Sequence, residues 1–532
     1  MNVCQKALRA ALATTALGAL FALAAPAAAK DCSELGGLKL ENGKVTSAEL
    51  VAAGAFKAPP SPFAAPGVKG SPFDNLPAFC RVQATLTPTP DSDIKVEVWL
   101  PASGWNGKYV GLGNGIWAGQ LSLSEIPKPL SRGYVVATTD TGHTGTGMSG
   151  EFAVGHPEKL IDYGYRAIHL TAVTAKAAAQ ALYGKPVRKS YWTSCSTGGR
   201  QGLMEAYRYP KDYDFISAMA PANPMTDLMT QSMFAGFWPA PPTGEQLTAP
   251  LLGLLHQAVV KECDKLDGTE DGLIANPEAC HYDPAKLQCQ PGQNGNCLSA
   301  GQVAVARAIY AGVPDPKSGG QLLPGWPRGA ELQLAMLTTG KEPFPVAFTY
   351  YKLLVHGGDP NWDWHTMDFG KEVYRSREFG ANILNIPSDG LGPFFARGGR
   401  LLMSHGWADG LIPATNSVKF YRGLYAALSP GQRQNQLRLF MVPGMNHCGG
   451  GEGATEWDPL AVLETWDQSG TPPERIVATR SGAGAGGIPG GPPAPPLPPI
   501  SRPLCTYPLI PTYTGKGSQD DAKNFICKAA PA

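Results

Sequence analysis

The pattern of hydrophobic and polar positions predicts a chain in which short strands alternate with helices. Strands are indicated where β-branched and aromatic residues form runs that end in glycine-rich turns: Ile94–Leu100, Lys108–Gly111, Tyr134–Thr139, Ser190–Ser194, Phe215–Ala220, Arg400–Ser404 and Leu437–Val442. Helical spacing lies between some of them, over Tyr163–Tyr183 and Gly199–Tyr207. This alternation is typical of a mostly parallel sheet covered on both faces, so we expect an α/β fold.

The alternation is interrupted between about Pro224 and Gly392. This stretch is rich in Trp, Pro and Gly and contains four cysteines. This stretch predicts an inserted second domain, after which Arg400–Ser404 resumes the sheet. We therefore expect a leader at 1–29, an α/β domain in two parts at 30–223 and 393–532, and the insertion at 224–392. The Gly/Pro tract Ser481–Pro503 predicts a loop or linker.

Composition mainly excludes classes of function. The chain has 44 Lys+Arg against 43 Asp+Glu, a net charge of +1. Binding to nucleic acid or to an acidic membrane needs a dense cationic face, so neither is expected. Apolar residues make up 43% of the chain, which is sufficient for a sizeable core, and charged residues make up only 16%.

The N-terminus has the three parts of a secretory signal peptide. Lys6 and Arg9 lie in a short region without acids, an apolar run covers Ala10–Ala25, and Ala27-Ala28-Ala29 offers a cleavage site. A membrane anchor is disfavoured because the run is short and Pro26 follows it. We expect a secreted or periplasmic protein with no membrane contact after cleavage.

Cleavage would leave ten of the eleven cysteines, since Cys4 lies in the leader. An even number in an exported chain predicts disulfides. The sequence has no Cys-x-x-Cys pair, so a zinc ribbon or a thioredoxin-like site is not expected.

A nucleophile motif lies where a predicted strand runs into a predicted helix. Ser194-Cys195-Ser196-Thr197-Gly198 has a small-x-Ser-x-Gly pattern, with Ser194 in place of the usual glycine. Small residues are needed on both sides because strand and helix approach closely around a strained turn. The N–H of Thr197, at the helix start, could stabilise an oxyanion. A Ser/Thr-rich helix cap shares this pattern, and Cys195 is a rival nucleophile.

A candidate acid and base follow in the order that α/β-hydrolases use. Asp409 lies in the loop after the strand Arg400–Ser404, and His447 lies in the loop after the strand Leu437–Val442. Catalytic groups of such sheets lie at the carboxyl ends of strands. Each residue alone is ordinary, because an Asp-Gly pair is usually a turn and His405 or His447 is usually a hydrogen-bonded loop histidine.

Two cysteines flank these candidates, since Cys195 precedes Ser196 and Cys448 follows His447. If the serine and histidine meet, their neighbours lie near the Cα separation that a disulfide requires. Such a bridge would join the two loops and close a very long loop, which stabilises strongly in the chain-entropy model.

Together these residues resemble the tannase and feruloyl esterase family, which includes mono(2-hydroxyethyl) terephthalate hydrolases. Its Cys-Ser…Asp…His-Cys arrangement is matched by Cys195-Ser196, Asp409 and His447-Cys448. The resemblance continues through Gly113-Asn114-Gly115, Cys195–Gly202, Cys263–Cys280, Arg397–Pro413 and Arg502–Cys527. The chain departs from the family pattern mainly at Ser481–Pro503. The resemblance implies an α/β-hydrolase fold with a large inserted lid domain.

The resemblance also implies the roles of single residues. Ser196 would attack an ester carbonyl, His447 would transfer its proton, and Asp409 would orient His447. The oxyanion would be held by the backbone N–H of Thr197 and of Gly115. The implied disulfides are Cys32–Cys80, Cys195–Cys448, Cys263–Cys280, Cys289–Cys297 and Cys505–Cys527.

The segment Cys263–Leu273 carries Asp264, Asp267 and Asp271, with two glycines that allow sharp turns. Three carboxylates this close repel one another unless a hard cation lies among them. The spacing is not that of an EF-hand, and an acidic solvated turn is the alternative. The resemblance implies a structural Ca²⁺ held by these three side chains and by the backbone oxygens of Thr269 and Leu273.

The resemblance implies a serine esterase for esters of aromatic carboxylic acids, such as hydroxycinnamates attached to plant polysaccharide. Gallate esters and terephthalate monoesters are the close alternatives. A protein of another class, which binds calcium or carbohydrate on an inactive hydrolase scaffold, is disfavoured because Ser196, Asp409 and His447 are all intact.

The insertion should cover Ser196 and form an apolar pocket. Candidate aromatic walls, each of which could equally be ordinary packing, are Trp117, Phe237, Trp238, Trp362, Trp364, Phe394 and Phe395. Arg200 and Arg397 could meet a substrate carboxylate or phenol, although surface pairing is the more common role of such arginines.

Overall fold

The computed structural model of this chain describes residues 31–57, 71–237, 245–293, 295–482 and 497–530. The predicted signal peptide and most of the Ser481–Pro503 tract lie outside these residues. Within them, the β-branched and aromatic runs form strands. The first eight strands are β1 (Lys39–Leu40), β2 (Gly43–Val51), β3 (Phe79–Leu86), β4 (Ile94–Pro101), β5 (Lys108–Gly111), β6 (Val135–Thr139), β7 (Lys189–Cys195) and β8 (Phe215–Met219).

Eight more strands follow, of which two join the same sheet and six form separate two-stranded ribbons. They are β9 (Val313–Pro314), β10 (Gln321–Leu323), β11 (Arg400–Gly406), β12 (Leu437–Val442), β13 (Arg475–Arg480), β14 (Ile500–Cys505), β15 (Leu509–Tyr513) and β16 (Phe525–Ala529). The ribbons pair β9 with β10, β13 with β14, and β15 with β16.

The main sheet has ten strands in the order β1-β2-β3-β4-β6-β5-β7-β8-β11-β12. The six strands from β6 to β12 run parallel, whereas β1 to β4 and the β4–β6 contact are antiparallel. The sheet is therefore mixed. The long β2 was not predicted from the sequence because its faces alternate between half-buried and exposed, so it lacks a continuous apolar run.

Fourteen helices are described. They are α1 (Pro127–Ser131), α2 (Pro157–Ile161), α3 (Ala167–Tyr183), α4 (Thr197–Arg208), α5 (Met225–Phe237), α6 (Ala249–Cys263), α7 (Ala300–Ala311), α8 (Ala335–Thr338), α9 (Pro345–Thr349), α10 (Phe369–Leu384), α11 (Gly392–Ala396), α12 (Ala414–Ala427), α13 (Pro430–Gln436) and α14 (Pro459–Ser469). The helix predicted from Tyr163 begins as α3 at Ala167, after a π-helical turn at Asp162–Arg166.

The core of the sheet is formed by two apolar clusters. In one of them α3, α4 and α12 contribute buried residues such as Ala172, Leu203 and Val418. In the other α1 and α14 contribute Leu130 and Trp466. Burial on both faces explains why the parallel strands read as continuous apolar runs in the sequence.

Residues between α5 and α10 contribute no described strand to the main sheet. They contribute to two apolar clusters. One joins α5, α9 and α10 to Trp117 and Tyr163 of the catalytic domain, and the other is centred on α6 and α7. β11 then returns to pair in parallel with β8, with Arg400 opposite Phe215. The parallel core, the strand order and this excursion define an α/β-hydrolase fold with an added lid domain, as predicted. In the described part of the chain, no helix is long and apolar enough to cross a membrane.

The ten cysteines from Cys32 onward form five disulfides, paired as the family resemblance implies. The pair Cys195–Cys448 spans 253 residues of sequence, whereas the other four span between 8 and 48. The long bridge joins the end of β7 to the loop after β12, so it crosses the carboxyl edge of the sheet.

A buried histidine on α6 attaches the lid to the loop after β12. The His256 nitrogens each lie 2.8 Å from a carboxylate oxygen, Nδ1 from Glu331 and Nε2 from Glu452. Burial lowers the pKa of His256, but the hydrogen bonds and charges of the two glutamates outweigh burial and raise it to about 10. The imidazolium thus joins a lid carboxylate to a carboxylate of the catalytic domain.

We predict that His256→Ala lowers the free energy of unfolding by about 3 kcal/mol near pH 6, because Glu331 is left buried without its cation. The pKa of His256 in the folded protein lies above its ordinary value of 6.5, so the stabilisation is complete below about pH 6.5 and is lost as the pH rises through about 10. Urea unfolding at about pH 6 and pH 10.5 measures the difference. His365→Ala, at an exposed lid histidine, is the control. An equal loss at both pH values would contradict the ionic bridge.

Candidate active site

Ser196 lies in a strained turn between β7 and α4. Its backbone has φ 62° and ψ −126°, a conformation that a residue with a side chain rarely adopts. The turn is held because the Ser196 N–H donates to the Met219 carbonyl at 3.0 Å. A side chain at Gly198 would collide with the Ser194 hydroxyl, so the small residues are required where the sequence motif has them. This is the geometry of a nucleophile elbow.

The two candidate oxyanion donors lie beside this turn. Thr197 opens α4, and Gly115 lies in the loop after β5. Among the described residues, neither backbone N–H has a hydrogen-bond partner. The Thr197 hydroxyl donates to the Ile116 carbonyl at 2.7 Å, which ties the loop to the helix start. Both N–H groups are therefore held close to Ser196 and available to a ligand.

The candidate acid, Asp409, is fully buried and accepts four hydrogen bonds. Its Oδ1 accepts from the N–H of Leu411 and of Ile412, each at 2.9 Å. Its Oδ2 accepts from His447 Nδ1 at 2.7 Å and from His405 Nε2 at 3.0 Å. Burial alone would raise the pKa of Asp409, but the charge of His447 and the bonds from both histidines lower it well below its usual range. The carboxylate therefore stays ionised at neutral pH.

This contact determines the tautomer of His447. Asp409 can only accept, so the hydrogen lies on Nδ1 of His447 and the lone pair lies on Nε2. The His447 main-chain N–H donates at 3.0 Å to Gln333 Oε1, from the lid. The ring is thus oriented by Asp409 and its backbone is held by Gln333, which leaves Nε2 free to act as a base.

His405, at the end of β11, is a second histidine on the same carboxylate. Its Nε2 contacts two acceptors, Asp409 Oδ2 at 3.0 Å and the Ile412 carbonyl at 3.2 Å, so Nε2 carries the hydrogen. The Ser417 hydroxyl lies 2.7 Å from Nδ1 and completes the chain of bonds. The sequence analysis treated His405 as an ordinary loop residue, although its position four residues before Asp409 was a usable signal.

The Cys195–Cys448 bridge holds the nucleophile and base loops together, with a Cα separation of 5.8 Å. Each cysteine is the chain neighbour of a candidate catalytic residue, Ser196 or His447. Both of these residues, with Thr197 and Gly115, line one cavity of about 970 Å³. The structure therefore brings all the predicted catalytic and oxyanion residues to a single site.

The cavity wall is mainly aliphatic and rich in methionine. Its apolar side chains include Met148, Met225, Leu228, Met229, Met336, Phe344, Val346, Leu411 and Ile412. Apart from His447, the charged residues among the described lining are Glu125, Lys128 and Asp458. Lys128 lies 3.1 Å from Asp458, so its charge is already paired. Among the described residues, this cavity is thus lined by no unpaired cation.

Of the aromatic residues suggested by the sequence, the six that the structure describes are absent from the lining of this cavity. Trp117 packs against Tyr163 and Tyr350, and its Nε1 donates to the Val346 carbonyl. Trp238 lies outside the described residues. The remaining candidates pack elsewhere in the catalytic core or the lid; they are Phe237, Trp362, Trp364, Phe394 and Phe395. Their apolar character serves packing, which sequence alone does not distinguish from ligand contact.

The two candidate arginines are also structural. Arg200 is fully buried and donates to the carbonyls of Gly164, Leu384 and Tyr163. Arg397 pairs with Asp214 at 2.8 Å, as the alternative reading expected. Neither lines the cavity.

The aspartates of the lid segment surround a second, small cavity of about 20 Å³, the size of one water or ion. It is lined by Asp267, Thr269, Asp271 and Leu273 together with Arg502 of β14. Asp264 lies beside it and accepts the N–H of Asp271 and of Gly272, at 3.2 and 2.8 Å. Carboxylates are among the oxygen ligands that a hard cation such as Ca²⁺ takes, so this donor chemistry fits such an ion.

The electrostatics of this segment depend on one arginine. Arg502 Nη2 lies 2.7 Å from Asp271 Oδ2, and both side chains are nearly buried. Burial and the charges of Asp271 and Asp264 raise the pKa of Asp267 to about 7, although two backbone N–H groups lower it. Arg502 therefore neutralises the charge of Asp271, whereas the carboxyl groups of Asp264 and Asp267 lie close together without a cation of their own among the described residues.

The fold and the site define a hydrolase with a serine elbow, and the comparisons with known proteins agree. A family model described as tannase and feruloyl esterase matches residues 80–528. An uncharacterised esterase of Xanthomonas campestris is 32% identical over 97% of this chain and 94% of its own length. Feruloyl esterase C of Talaromyces stipitatus is 31% identical over 85% of this chain and 86% of its own length.

Solved structures show the same relationship. The crystal structure of feruloyl esterase B from Aspergillus oryzae has a TM-score of 0.81 at 25% identity and covers 93% of this chain and 99% of its own. The crystal structure of another Aspergillus oryzae esterase has a TM-score of 0.80 at 27% identity, with the same coverage of both chains. The chain therefore belongs to the tannase and feruloyl esterase family and is a carboxylic ester hydrolase.

Proposed function

We propose that this protein is an exported serine esterase that cleaves esters of aromatic carboxylic acids through a Ser196–His447–Asp409 triad. The observation that carries the proposal is the shared cavity: the Ser196 elbow and the Asp409-oriented His447 both line it, and a disulfide joins their loops. An inactive scaffold would have no need to keep the Ser196 backbone strained.

The geometry supports acyl transfer in two stages. His447 Nε2 removes the Ser196 proton as Ser196 Oγ attacks the ester carbonyl, and the imidazolium then gives that proton to the leaving alcohol. A water, activated by His447 in the same way, attacks the acyl-enzyme and releases the acid. Asp409 stabilises the imidazolium in both stages because its carboxylate stays charged.

The negative oxygen of each tetrahedral intermediate would be held by the N–H groups of Thr197 and Gly115. Thr197 contributes the end of the α4 dipole as well as a donor. The tie between the Thr197 hydroxyl and the Ile116 carbonyl keeps the two donors in register, so they need little reorganisation when charge develops.

The cavity wall favours hydroxycinnamate esters among the three substrate classes. Methylated, mainly apolar rings of the feruloyl type suit a wall of methionine and aliphatic side chains. A terephthalate monoester brings a carboxylate, for which the described lining has no unpaired cation, and a gallate ring brings three hydroxyls, for which the methionine and aliphatic side chains have no partner. Relatives named feruloyl esterase support the same choice. The natural ester would then be a small aromatic acyl group, attached in plant material to polysaccharide.

Export is proposed on two grounds. The N-terminal pattern is that of a signal peptide, and five disulfides are typical of an oxidising compartment. The final location would be the periplasm or the medium.

A structural Ca²⁺ in the lid is the second part of the proposal. Asp264, Asp267 and Asp271 would supply side-chain oxygens, and Thr269 and Leu273 would supply backbone oxygens. The donor set and the one-ion cavity support it, and the ion would relieve the repulsion that Arg502 relieves only in part. The site lies at the contact between lid and β14, away from Ser196, so its role would be structural.

The first prediction concerns the nucleophile. Ser196→Ala should lower kcat/KM for methyl ferulate by at least about 10³-fold, because the acyl-enzyme can no longer form. Steady-state rates with methyl ferulate and p-nitrophenyl acetate measure it. Ser190→Ala, a buried serine on the same strand outside the cavity, is the control and should keep its activity. Full activity of Ser196→Ala would refute the triad.

The second prediction concerns the substrate. kcat/KM should be at least about 10-fold higher for methyl ferulate than for methyl gallate or mono(2-hydroxyethyl) terephthalate, because the methionine and aliphatic part of the wall offers no partner to their additional polar groups. A side-by-side panel measures the three ratios. Met225→Ser, which places a hydroxyl in the wall, should reduce the ratio of kcat/KM for methyl ferulate to kcat/KM for methyl gallate. A preference for either polar ester in the wild type would reassign the substrate and leave the triad standing.

The third prediction concerns calcium. Chelation by EDTA should lower the melting temperature by about 5 °C, and added Ca²⁺ should restore it, since an ion bound only to the folded state stabilises by mass action. Asp267→Asn should abolish the response. The control is Asp389→Asn, at an exposed lid carboxylate. A melting temperature that is insensitive to EDTA in the wild type would reject the ion.

A further inference from the structure

One short segment of the lid, Glu331–Met336, contacts the catalytic domain at three places. Glu331 binds His256, whose other nitrogen binds Glu452 in the loop after β12. Gln333 bonds directly to the loops of the candidate acid and base. Met336 lines the cavity above Ser196. We call these residues the contact segment.

The Gln333 side chain bridges the acid loop and the base loop through a single amide oxygen that accepts two hydrogen bonds, an arrangement that we call the Gln333 fork. Its Oε1 accepts the N–H of Gly410 at 3.0 Å and the N–H of His447 at 3.0 Å, and the residue is only 5% exposed. Gly410 directly follows Asp409. One amide oxygen therefore joins the main chain beside the acid to the main chain of the base.

The packing around Gly410 shows that this contact is tight. A Cβ at position 410 would lie 2.6 Å from the Gln333 carbonyl carbon and 2.7 Å from the Leu334 nitrogen. Only glycine allows the acid loop to approach the lid backbone so closely. The Asp-Gly pair, which the sequence analysis treated as a turn signal, is thus required by contact with the lid.

The base loop needs such a restraint. Positive φ angles occur at Gly444, Cys448, Gly449, Gly450 and Gly451, so this loop has unusual backbone freedom in the absence of partners. The bridge to Cys195 fixes the loop one residue after His447. The hydrogen bond to Gln333 fixes the main chain of His447 itself, so it sets the position from which the imidazole side chain extends.

The contact segment is rigid enough to act as a reference. Leu334, Ala335 and Leu337 are buried in the apolar cluster that contains Leu252 and Leu255 of α6. Gln333 is therefore attached to a packed body and does not lie on a mobile loop.

We propose that Gln333 is a positioning residue for ester hydrolysis. Its amide oxygen sets the separation of the acid and base loops, so that His447 reaches both Asp409 and Ser196. The lid then belongs to the catalytic machinery as well as to the substrate pocket. This inference rests on the triad proposed above.

The test is Gln333→Leu, which has a similar size but no acceptor. Two buried N–H groups lose their partner, and a displacement of the imidazole by a fraction of an ångström is enough to slow proton transfer. We expect kcat to fall at least about 30-fold while KM changes less than about 2-fold. The steady-state rate is divided by the concentration of active sites, which is measured from the burst of p-nitrophenol released by a p-nitrophenyl ester. Unfolded protein therefore does not contribute to kcat.

Two further variants separate positioning from plain stability. Gln333→Glu keeps an oxygen that accepts both N–H groups, and it should recover most of kcat at about pH 8. Gln333→Asn is one methylene too short and should lose kcat even if Gln333→Leu does not fold. Gln246→Leu is the matched control, since this lid glutamine donates to the Gly340 carbonyl far from the site and should leave kcat unchanged.

The outcomes are distinguishable. A lower melting temperature with unchanged kcat per titrated site in Gln333→Leu and Gln333→Asn would overturn the inference, as would a rise in KM alone. Loss of kcat without recovery in Gln333→Glu would overturn the role of the acceptor oxygen. Activity that survives in Ser196→Ala would overturn the proposed triad instead, whatever the Gln333 variants do.

Discussion

The site depends on one buried carboxylate. Asp409 is inaccessible to water and is stable as an anion only because four donors converge on it. Two of these donors are main-chain N–H groups of its own loop and two are histidine rings. The arrangement determines the loop conformation, the tautomer of His447 and the place of His405 at the same time. Removal of any donor would leave an anion in the core that lacks part of its compensation.

The second constraint is the carboxyl edge of the parallel strands. β7, β11 and β12 run in the same direction, so the loops that carry Ser196, Asp409 and His447 all leave the sheet at the same edge. The disulfide Cys195–Cys448 and the Gln333 fork then restrain loops that topology has only brought near one another. The lid contributes to this restraint through Gln333, which lies 77 residues before Gly410 and 114 residues before His447 in the sequence.

How much the sequence could predict varies between the parts of the site. The elbow at Ser196 was predictable because its motif is local: strand, strained turn and helix occupy eleven consecutive residues. The positions of Asp409 and His447 followed from strand order and from the flanking cysteines. Strands β1 to β3 were missed, because β2 alternates half-buried with exposed positions and β3 alternates buried with half-buried ones, so neither has the apolar run on which the prediction relied. Of the candidate aromatic wall residues, Trp117, Phe394 and Phe395 serve packing instead, because they carry the same apolar signal whether they meet a ligand or a neighbouring helix.

The sequence by itself determined the α/β class, the family, the candidate triad and the set of cysteines available for pairing. It could do so because each of these leaves a local signature in residue type and spacing. Only the tertiary structure decided that His405 shares the carboxylate of Asp409, that methionine and aliphatic side chains form the wall, and that Gln333 joins the two loops. These contacts connect residues that follow no common period along the chain, and they exist only because the lid packs against the carboxyl edge of the sheet.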